Sequence, residues 1–177
     1  GDKKEIYEIQ ERLSEIRFDL TNYCVSMESA KLQLNKTTRE QFRIAQAKRW
    51  SAQVMQSLRT AGKEECAEQM VSNMRLFAYK SHALPEYMSN HGYPFQIMDV
   101  IGAGNISLTE QGIRIIDTNC LFPADEYLGR VNMTAEEFFL QSLSDIKLMA
   151  DELGALANRT KRDVMNRVST VDMAPRP

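Results

Sequence analysis

Carboxylates spaced three and four residues apart are the part of this sequence with the most recognisable chemistry. In the stretch KEECAEQM, Glu65 and Glu68 are three residues apart, which places both side chains on one face of a helix. Carboxylates on a bundle helix can hold a divalent metal ion together with a carboxylate from a facing helix. Glu136, in the stretch TAEEFF, is our candidate for that third ligand. The spacing is therefore compatible with a metal site at Glu65, Glu68 and Glu136.

The same carboxylates have a simpler interpretation as residues that start helices. Glu64 and Glu65 would lie in a first helical turn, where negative charge stabilises the helix by roughly 0.3–1 kcal/mol. Glu137 follows Thr134 by three residues, which is the spacing of a capping box. Bundles that hold two iron ions also use Glu-x-x-His, a motif that this sequence lacks. The helix-start interpretation is favoured, and the metal site is kept as the alternative.

A short run before the last predicted helix resembles a known family. Residues Asp125 to Glu136 read DEYLGRVNMTAE, which resembles the D-x-x-L-G-x-x-x-L-T-x-E run of the translin-associated proteins. Asn132, at a position that this run leaves unspecified, stands where the family carries an acid. The resemblance is confined to this run. It implies a helical, oligomeric, RNA-handling protein that holds a divalent metal with helix carboxylates.

Other catalytic and cofactor-binding motifs are missing from the sequence. It contains no GxxxxGK[ST], no HExxH and no GxSxG, and the GAGN at residues 102–105 lacks the third glycine of a dinucleotide fingerprint. With only His82 and His91, a metal site would have to depend on carboxylates. We therefore expect no cofactor and assign no catalytic residue, and the sequence favours a protein that is not an enzyme.

Long apolar repeats predict the elements that would position these residues. Between residues 6 and 34, apolar side chains recur at alternating spacings of three and four, which is typical of a coiled-coil seam. Helices are predicted over 38–61, capped by Thr38, and over 63–81, where the apolar residues between 66 and 78 share one face. A second seam begins after Thr134, continues through residue 157 and is extended more weakly by Thr160 and Val164. Each seam requires a partner helix, from the same chain or from a second subunit.

Residues 92–124 differ from the rest of the chain. They hold four of the eight glycines, and TEQG between ISL and IRII predicts a hairpin turn. An insertion of this length in a helical domain is a common place for binding specificity. If the protein senses a small ligand, we expect Tyr93, Phe95 and Met98 to line the binding pocket.

Two long seams with two shorter helices between them predict a mainly α fold. The economical arrangement is a four-helix bundle, with the insertion of residues 92–124 between the third and fourth helices. We predict one domain over residues 1–168, because the chain is long enough for one core. The tail at residues 169–177 has no apolar periodicity and is predicted to be disordered.

Charge and cysteine content limit the classes of partner. Lys+Arg total 22 and Asp+Glu total 24, so no strong overall field attracts nucleic acid. The local basic excess at residues 158–167 is interpreted as cations at a helix end, with phosphate contact as the alternative. Three cysteines without a CxxC motif favour reduced thiols and a cytoplasmic location. A periplasmic or secreted location stays open, because a signal segment can be removed from a mature chain.

These features predict a non-enzymatic interaction, sensor or regulatory module that acts through oligomerisation. We expect at least a homodimer formed through residues 6–34, with a protein partner or a small ligand as further binding possibilities. No apolar run reaches the roughly 18 residues of a membrane span. The alternative is a metal-dependent or nucleic-acid-binding helical protein of translin-like type that uses helix carboxylates.

Overall fold

The part of the chain that the structure describes is mainly helical. The structure, a computed structural model, describes residues 17–19, 35–92, 97–98, 106–109, 111–115, 121–122 and 134–172. The helices are α1 (Lys36–Thr60), α2 (Cys66–Ser81), α3 (Leu84–Asn90) and α4 (Ala135–Asp172). The strands are β1 (Arg17–Asp19), β2 (Ile97–Met98), β3 (Ile106–Thr109), β4 (Gly112–Ile115) and β5 (Leu121–Phe122). The predicted mainly α class is confirmed.

Helix α4 is the centre of the packing. Helices α1 and α2 both pack along α4 and touch each other only sparsely. Arg43 near the start of α1 bonds to Asp145, and Arg59 near its end bonds to Thr160, so α1 runs parallel to α4. The 38 residues of α4 extend over about 57 Å, against about 37 Å for the 25 residues of α1. Helix α4 is therefore longer than the partner that covers it.

Helix α2 covers a second side of α4 in the opposite direction. Arg75 near the end of α2 pairs with Asp151, and Glu68 near its start pairs with Lys161 further along α4. The apolar face predicted for this helix is confirmed. Its buried residues are Ala67, Met70, Val71, Met74 and Ala78. The spacing of these residues by three and four puts them on one stripe toward α4, which is why the helix packs there.

The core lies where the three long helices meet. The largest fully buried side chains are Met55, Leu58, Met70, Met74, Leu108, Met149 and Leu153. Four of these seven are methionines, whose unbranched side chains fill irregular gaps between helices. Trp50 is only 4% exposed and belongs to the same cluster.

A three-stranded antiparallel sheet with the order β1-β3-β4 packs against α2. Strands β3 and β4 form the predicted hairpin, with Thr109 opposite Gly112 across the turn. Gly112 has a φ of 130°, which residues with a side chain rarely adopt. The Thr109 hydroxyl donates to the Gly112 carbonyl at 2.9 Å and accepts from the Gln111 N–H at 3.2 Å. Strands β2 and β5 form a separate two-stranded sheet.

The predicted helix over residues 6–34 is wrong at Arg17–Asp19, which form strand β1. Apolar residues in the stretch IRFDL also alternate with a period of two, as in a strand with one buried face. Phe18 pairs with Leu108 of β3 and packs against the core, so the strand gains burial there. The rest of this segment lies outside the described residues. A homodimer seam that is helical throughout residues 6–34 is therefore excluded.

The predicted four-helix bundle is not confirmed. Among the described residues, three long helices pack together, and α3 is a short helix of seven residues. Helix α4 runs to Asp172, so part of the tail predicted to be disordered is helical, and residues 173–177 lie outside the description. Helix α4 thus extends further than its apolar periodicity alone predicts.

The starts of α1 and α4 show how well capping residues can be predicted. At α4 the capping box is confirmed, because Thr134 Oγ1 accepts from the Glu137 N–H at 3.1 Å and Glu137 Oε2 accepts from the Thr134 N–H at 2.9 Å. At α1 the predicted cap Thr38 is wrong, because Asn35 Oδ1 accepts from the Thr38 N–H at 2.9 Å. Asparagine is a strongly preferred N-cap residue. Because Asn35 is the N-cap, α1 begins about one turn earlier than predicted.

Gly154 lies in the interior of α4 beside α2. A Cβ at this position would meet Val71 at 3.5 Å, which is an ordinary van der Waals distance. We therefore expect Gly154→Ala to raise the free energy of unfolding by about 0.5–1 kcal/mol, because alanine loses less backbone entropy in a helix. Urea unfolding followed by circular dichroism would measure it. A lower stability would show that α2 and α4 approach too closely for a methyl group.

Candidate interaction surface and ligand groove

The last twelve residues of α4 extend beyond the helices that cover the rest of it. Helix α1 ends at Thr60 and α2 begins at Cys66, at the level of α4 where Arg59 contacts Thr160. Every residue from 161 to 170 is exposed. We call residues 161–172 the projecting end. Its exposure follows from the lengths of the elements, because neither partner helix reaches past this level.

The apolar stripe of α4 continues into the projecting end. Leu153 and Ala157 are 0% and 6% exposed, whereas Val164 and Val168 are 56% and 58% exposed. Val164 follows Ala157 by seven residues and Val168 follows by four more, so all four share one helix face. Met165, beside this stripe, is 70% exposed. The face that forms the core of the domain therefore ends as an uncovered apolar surface.

The projecting end carries charged side chains, and only some of them border this stripe. Lys161 Nζ lies 2.5 Å from Glu68 Oε1 and ties the base of the projection to α2. Arg162, Arg167 and Asp163 lie further out and are exposed. The interpretation of residues 158–167 as cations at a helix end is wrong, because α4 continues to Asp172 and its last turn holds no basic residue. By helix phase, Lys161 and Arg167 flank the apolar stripe and Arg162 lies on the opposite face of the helix, so none of them stabilises a helix terminus.

A partly buried ion pair fixes α1 against α4 near the other end. Both Nε and Nη2 of Arg43 lie 2.8 Å from Asp145 Oδ1, and the Asp145 side chain is 0% exposed. Nη1 donates to both carboxylate oxygens of Glu40, at 3.0 and 3.1 Å. Nη2 also donates to Ser144 Oγ at 3.2 Å. The guanidinium thereby orients two consecutive residues of α4.

The electrostatics of this pair keep Arg43 charged. Burial alone lowers the pKa of the guanidinium, because it disfavours the charged form. The charge of Asp145, together with hydrogen bonds to Asp145 and Glu40, outweighs burial, so the pKa of Arg43 is raised above its ordinary value. A raised pKa on a basic group contributes stability that is lost only when the pH rises through the raised value. The pair is therefore insensitive to pH on the Arg43 side throughout the neutral and moderately alkaline range.

A groove of about 420 Å³ lies between α2 and α4, next to Ser144. It is lined by Arg75, Ala78, Tyr79, His82, Leu140, Leu143, Ser144 and Lys147. Ala78 and Leu143, 8% and 4% exposed, belong to the hydrophobic core and make an apolar floor. Tyr79 is 81% exposed at the edge. The groove is large enough for a small organic molecule.

The polar side chains of the groove carry positive charge or are neutral. Arg75 and Lys147 are cationic, His82 adds an imidazole, and none of the lining residues is a carboxylate. Arg75 donates from Nε and Nη2 to Asp151 Oδ1, at 3.3 and 2.9 Å, on the exposed side of the helix pair. Lys147 forms no ion pair with any residue that the structure describes. The groove therefore combines an apolar floor with a cationic rim.

The three carboxylates of the predicted metal site do not come together. Glu65 precedes α2 and is exposed, Glu68 pairs with Lys161, and Glu136 is exposed in the first turn of α4. Lys161 follows Glu136 by 25 residues in one helix, which corresponds to roughly 37 Å along its axis. Glu68 and Glu136 thus lie at opposite ends of the domain. Within the described residues, no group of three His, Cys, Asp or Glu side chains is placed to hold a metal ion.

The predicted ligand-binding residues are only partly described. Tyr93 and Phe95 lie outside the described residues, and Met98 belongs to strand β2, which lies against α4. A ligand pocket formed by these three residues stays a prediction. Arg75 and Lys147 of the groove were not predicted, because single basic residues on a solvent-facing helix have no distinctive local signal. The apolar spacing of α4 already extended to Val164, and this signal points to the projecting end.

Comparison with known families, with curated proteins and with solved structures found no match to this chain. Among the described helices, none combines the length and the hydropathy that a membrane span requires. The geometry of the projecting end and of the groove therefore provides the basis for a functional proposal. The projecting end is an exposed apolar surface, and the groove is an open concavity with an apolar floor and a cationic rim.

Proposed function

We propose that this chain is a non-enzymatic helical module that acts by association, and that it pairs with a second copy of itself through the projecting end of α4. The observation that carries the proposal is the continuity of one apolar stripe from the core into solvent. Val164 and Val168 lie on the face that Leu153 and Ala157 bury, yet both are more than half exposed. A second helix on this face would extend the packing already present in the domain.

A second copy offers a surface of the required chemistry. In a twofold arrangement two projecting ends lie antiparallel, and each apolar stripe covers the other. Valine and methionine at spacings of three and four suit packing of this type. The cations beside the stripe remain at the edge of the interface, where Arg and Lys keep their charged groups in water. The projecting end therefore supplies both the apolar stripe and the flanking cations that such a dimer interface needs.

The size of the surface determines how strong the pairing should be. Residues 161–172 form about 18 Å of helix, less than two heptads. Short helical contacts of this kind bury less area than a standard stable interface. We therefore expect a dimer whose population depends on protein concentration.

A pair of double variants tests the assignment of the surface. Val164→Glu with Val168→Glu places two carboxylates on the stripe, and we expect it to weaken dimerisation by at least about tenfold, because buried unpaired charge is costly. Asn166→Glu with Ser169→Glu adds the same charge to the opposite face of the same helix and should leave dimerisation unchanged. Sedimentation velocity over a concentration series would measure both. If the sedimentation coefficients of the two double variants depended on concentration in the same way, the assignment of the dimer interface to the apolar stripe would be refuted.

The other predicted functions have less support. A ligand pocket at Tyr93, Phe95 and Met98 requires residues outside the described part of the chain. The translin-like alternative requires helix carboxylates that converge on a metal ion, and Glu68 is committed to an ion pair with Lys161. Neither alternative has an observation among the described residues that favours it over association.

A further inference from the structure

We propose that the groove between α2 and α4 binds a small, water-soluble organic anion with an apolar body, such as a medium-chain carboxylate. This inference concerns residues 75–82 and 140–147 and does not depend on pairing through the projecting end. The occupant is a single free molecule, because the groove is a concavity between two helices with room for one small ligand.

The floor of the groove selects for an apolar body. Ala78 and Leu143 are nearly buried and continue directly into the core, and Leu140 forms part of the same wall. Tyr79 leaves 81% of its surface exposed beside them. A hydrocarbon chain or ring lying against these side chains removes apolar surface from water, including part of an exposed aromatic ring. This burial is the main source of the expected affinity.

The rim of the groove selects for a negative head group. Lys147 projects from α4 and Arg75 from α2, so cations face the groove from both of its walls. Asp151 Oδ1 accepts hydrogen bonds from Nε and Nη2 of Arg75, so Nη1 can donate to a ligand oxygen. Ser144 and His82 supply further polar atoms. Because Asp151 offsets the charge of Arg75, the net attraction for a carboxylate comes mainly from Lys147, which disfavours a cationic head group of the same size.

The rim also has a fixed position relative to the core. Ser144 accepts a hydrogen bond from Arg43 Nη2, and the neighbouring Asp145 holds the same guanidinium. This contact fixes the segment of α4 that carries Ser144 and Lys147. A pre-positioned site loses little entropy on binding, which favours a small ligand with few contacts.

The test uses octanoate and two analogues of equal chain length, octylammonium and 1-octanol, titrated calorimetrically into the unmodified chain. We expect octanoate to bind saturably, with one molecule per chain, and octylammonium not to bind. Octanol should bind more weakly than octanoate. Equal binding of octanoate and octylammonium, or heat that never saturates, would overturn the proposal.

Charge variants test the location of the site. Lys147→Glu replaces attraction by repulsion at an exposed position, and we expect it to weaken octanoate binding by roughly 3- to 30-fold. Lys147→Arg keeps the charge and should bind as the unmodified chain does. Lys48→Glu makes the same charge change on an exposed residue of α1 outside the groove and should have no effect.

Two outcomes would remove the proposal. Equal loss of binding in Lys147→Glu and Lys48→Glu would show a general effect of net charge. Binding of the unmodified chain to vesicles of phosphatidylglycerol, without saturable binding of octanoate, would assign the cations to a membrane surface. Failure of either kind leaves the pairing of the projecting ends unaffected, because the sedimentation experiments contain no ligand.

Discussion

Arg43→Met is expected to lower the free energy of unfolding by about 3 kcal/mol, because it removes the guanidinium that is paired with the buried carboxylate of Asp145. Asp145 is 0% exposed, and Nε and Nη2 of Arg43 both donate to its Oδ1. We place the loss at the low end of the range for buried pairs, because the Arg43 side chain itself keeps 17% exposure. Urea unfolding monitored by circular dichroism would measure it.

A double variant separates the loss of the Arg43–Asp145 ion pair from a loss of packing. Arg43→Met combined with Asp145→Leu removes both charges and keeps apolar groups of similar size, so most of the lost stability should return. Glu40→Gln is the control for the exposed partner of Arg43 and should change the free energy of unfolding by less than about 1 kcal/mol. If Arg43→Met were as stable as the unmodified chain, α1 and α4 would not depend on this pair.

Leu153→Ala should produce a loss of about 3–4 kcal/mol in the free energy of unfolding, through a cavity in the centre of the core. Leu153 is 0% exposed where α1 and α2 both cover α4. The informative comparison is Val168→Ala, on the same stripe of the same helix. Val168 is 58% exposed, so at a concentration where the chain is monomeric its truncation should change stability by less than about 0.5 kcal/mol.

When self-association is measured instead of stability, we expect the larger direct effect from Val168→Ala and the smaller one from Leu153→Ala. Val168→Ala should weaken self-association, whereas Leu153→Ala should affect it only through the fraction of folded chain. Thermal and urea unfolding give the stabilities, and sedimentation velocity gives the association. If Val168→Ala destabilised the monomer as much as Leu153→Ala does, the stripe beyond residue 160 would be covered within the monomer.

Several elements could be predicted because their determinants are local. The capping box of Thr134 and Glu137 joins residues three positions apart, and the structure contains both of its hydrogen bonds. The hairpin of β3 and β4 follows from a short turn with a glycine that adopts a positive φ. The buried face of α2 follows from spacings of three and four. In each case the information lies within a few residues along the chain.

Features that depend on distant residues could not be predicted. Strand β1 was misassigned because its stretch fits both helical and strand periodicity, and pairing with β3, nearly ninety residues later, decides between them. Arg43 and Asp145 are 102 residues apart, and neither has a local signal of its partner. The groove is formed in the same way, since its two walls come from α2 and α4 and each wall looks like an ordinary solvated helix face.

The metal-site hypothesis illustrates a related limit. Glu68 lies in the first turn of α2 and Glu65 directly precedes the helix instead of lying in its first turn, and helix phase alone says nothing about the third ligand. The distance of the third carboxylate from the other two depends on where α4 begins relative to α2. The antiparallel packing of these helices puts Glu136 far from Glu68. The position of the carboxylates thus follows from the direction of packing, which sequence periodicity leaves undetermined.

The molar mass of the unmodified chain is the most direct measurement of the association proposal. Sedimentation equilibrium over a range of rising protein concentrations should give a mass that increases from 20.3 kDa toward twice that value. The rise should disappear in the Val164→Glu, Val168→Glu variant and persist in the Asn166→Glu, Ser169→Glu variant. A mass that stays at 20.3 kDa up to the highest soluble concentration would contradict association through the projecting end.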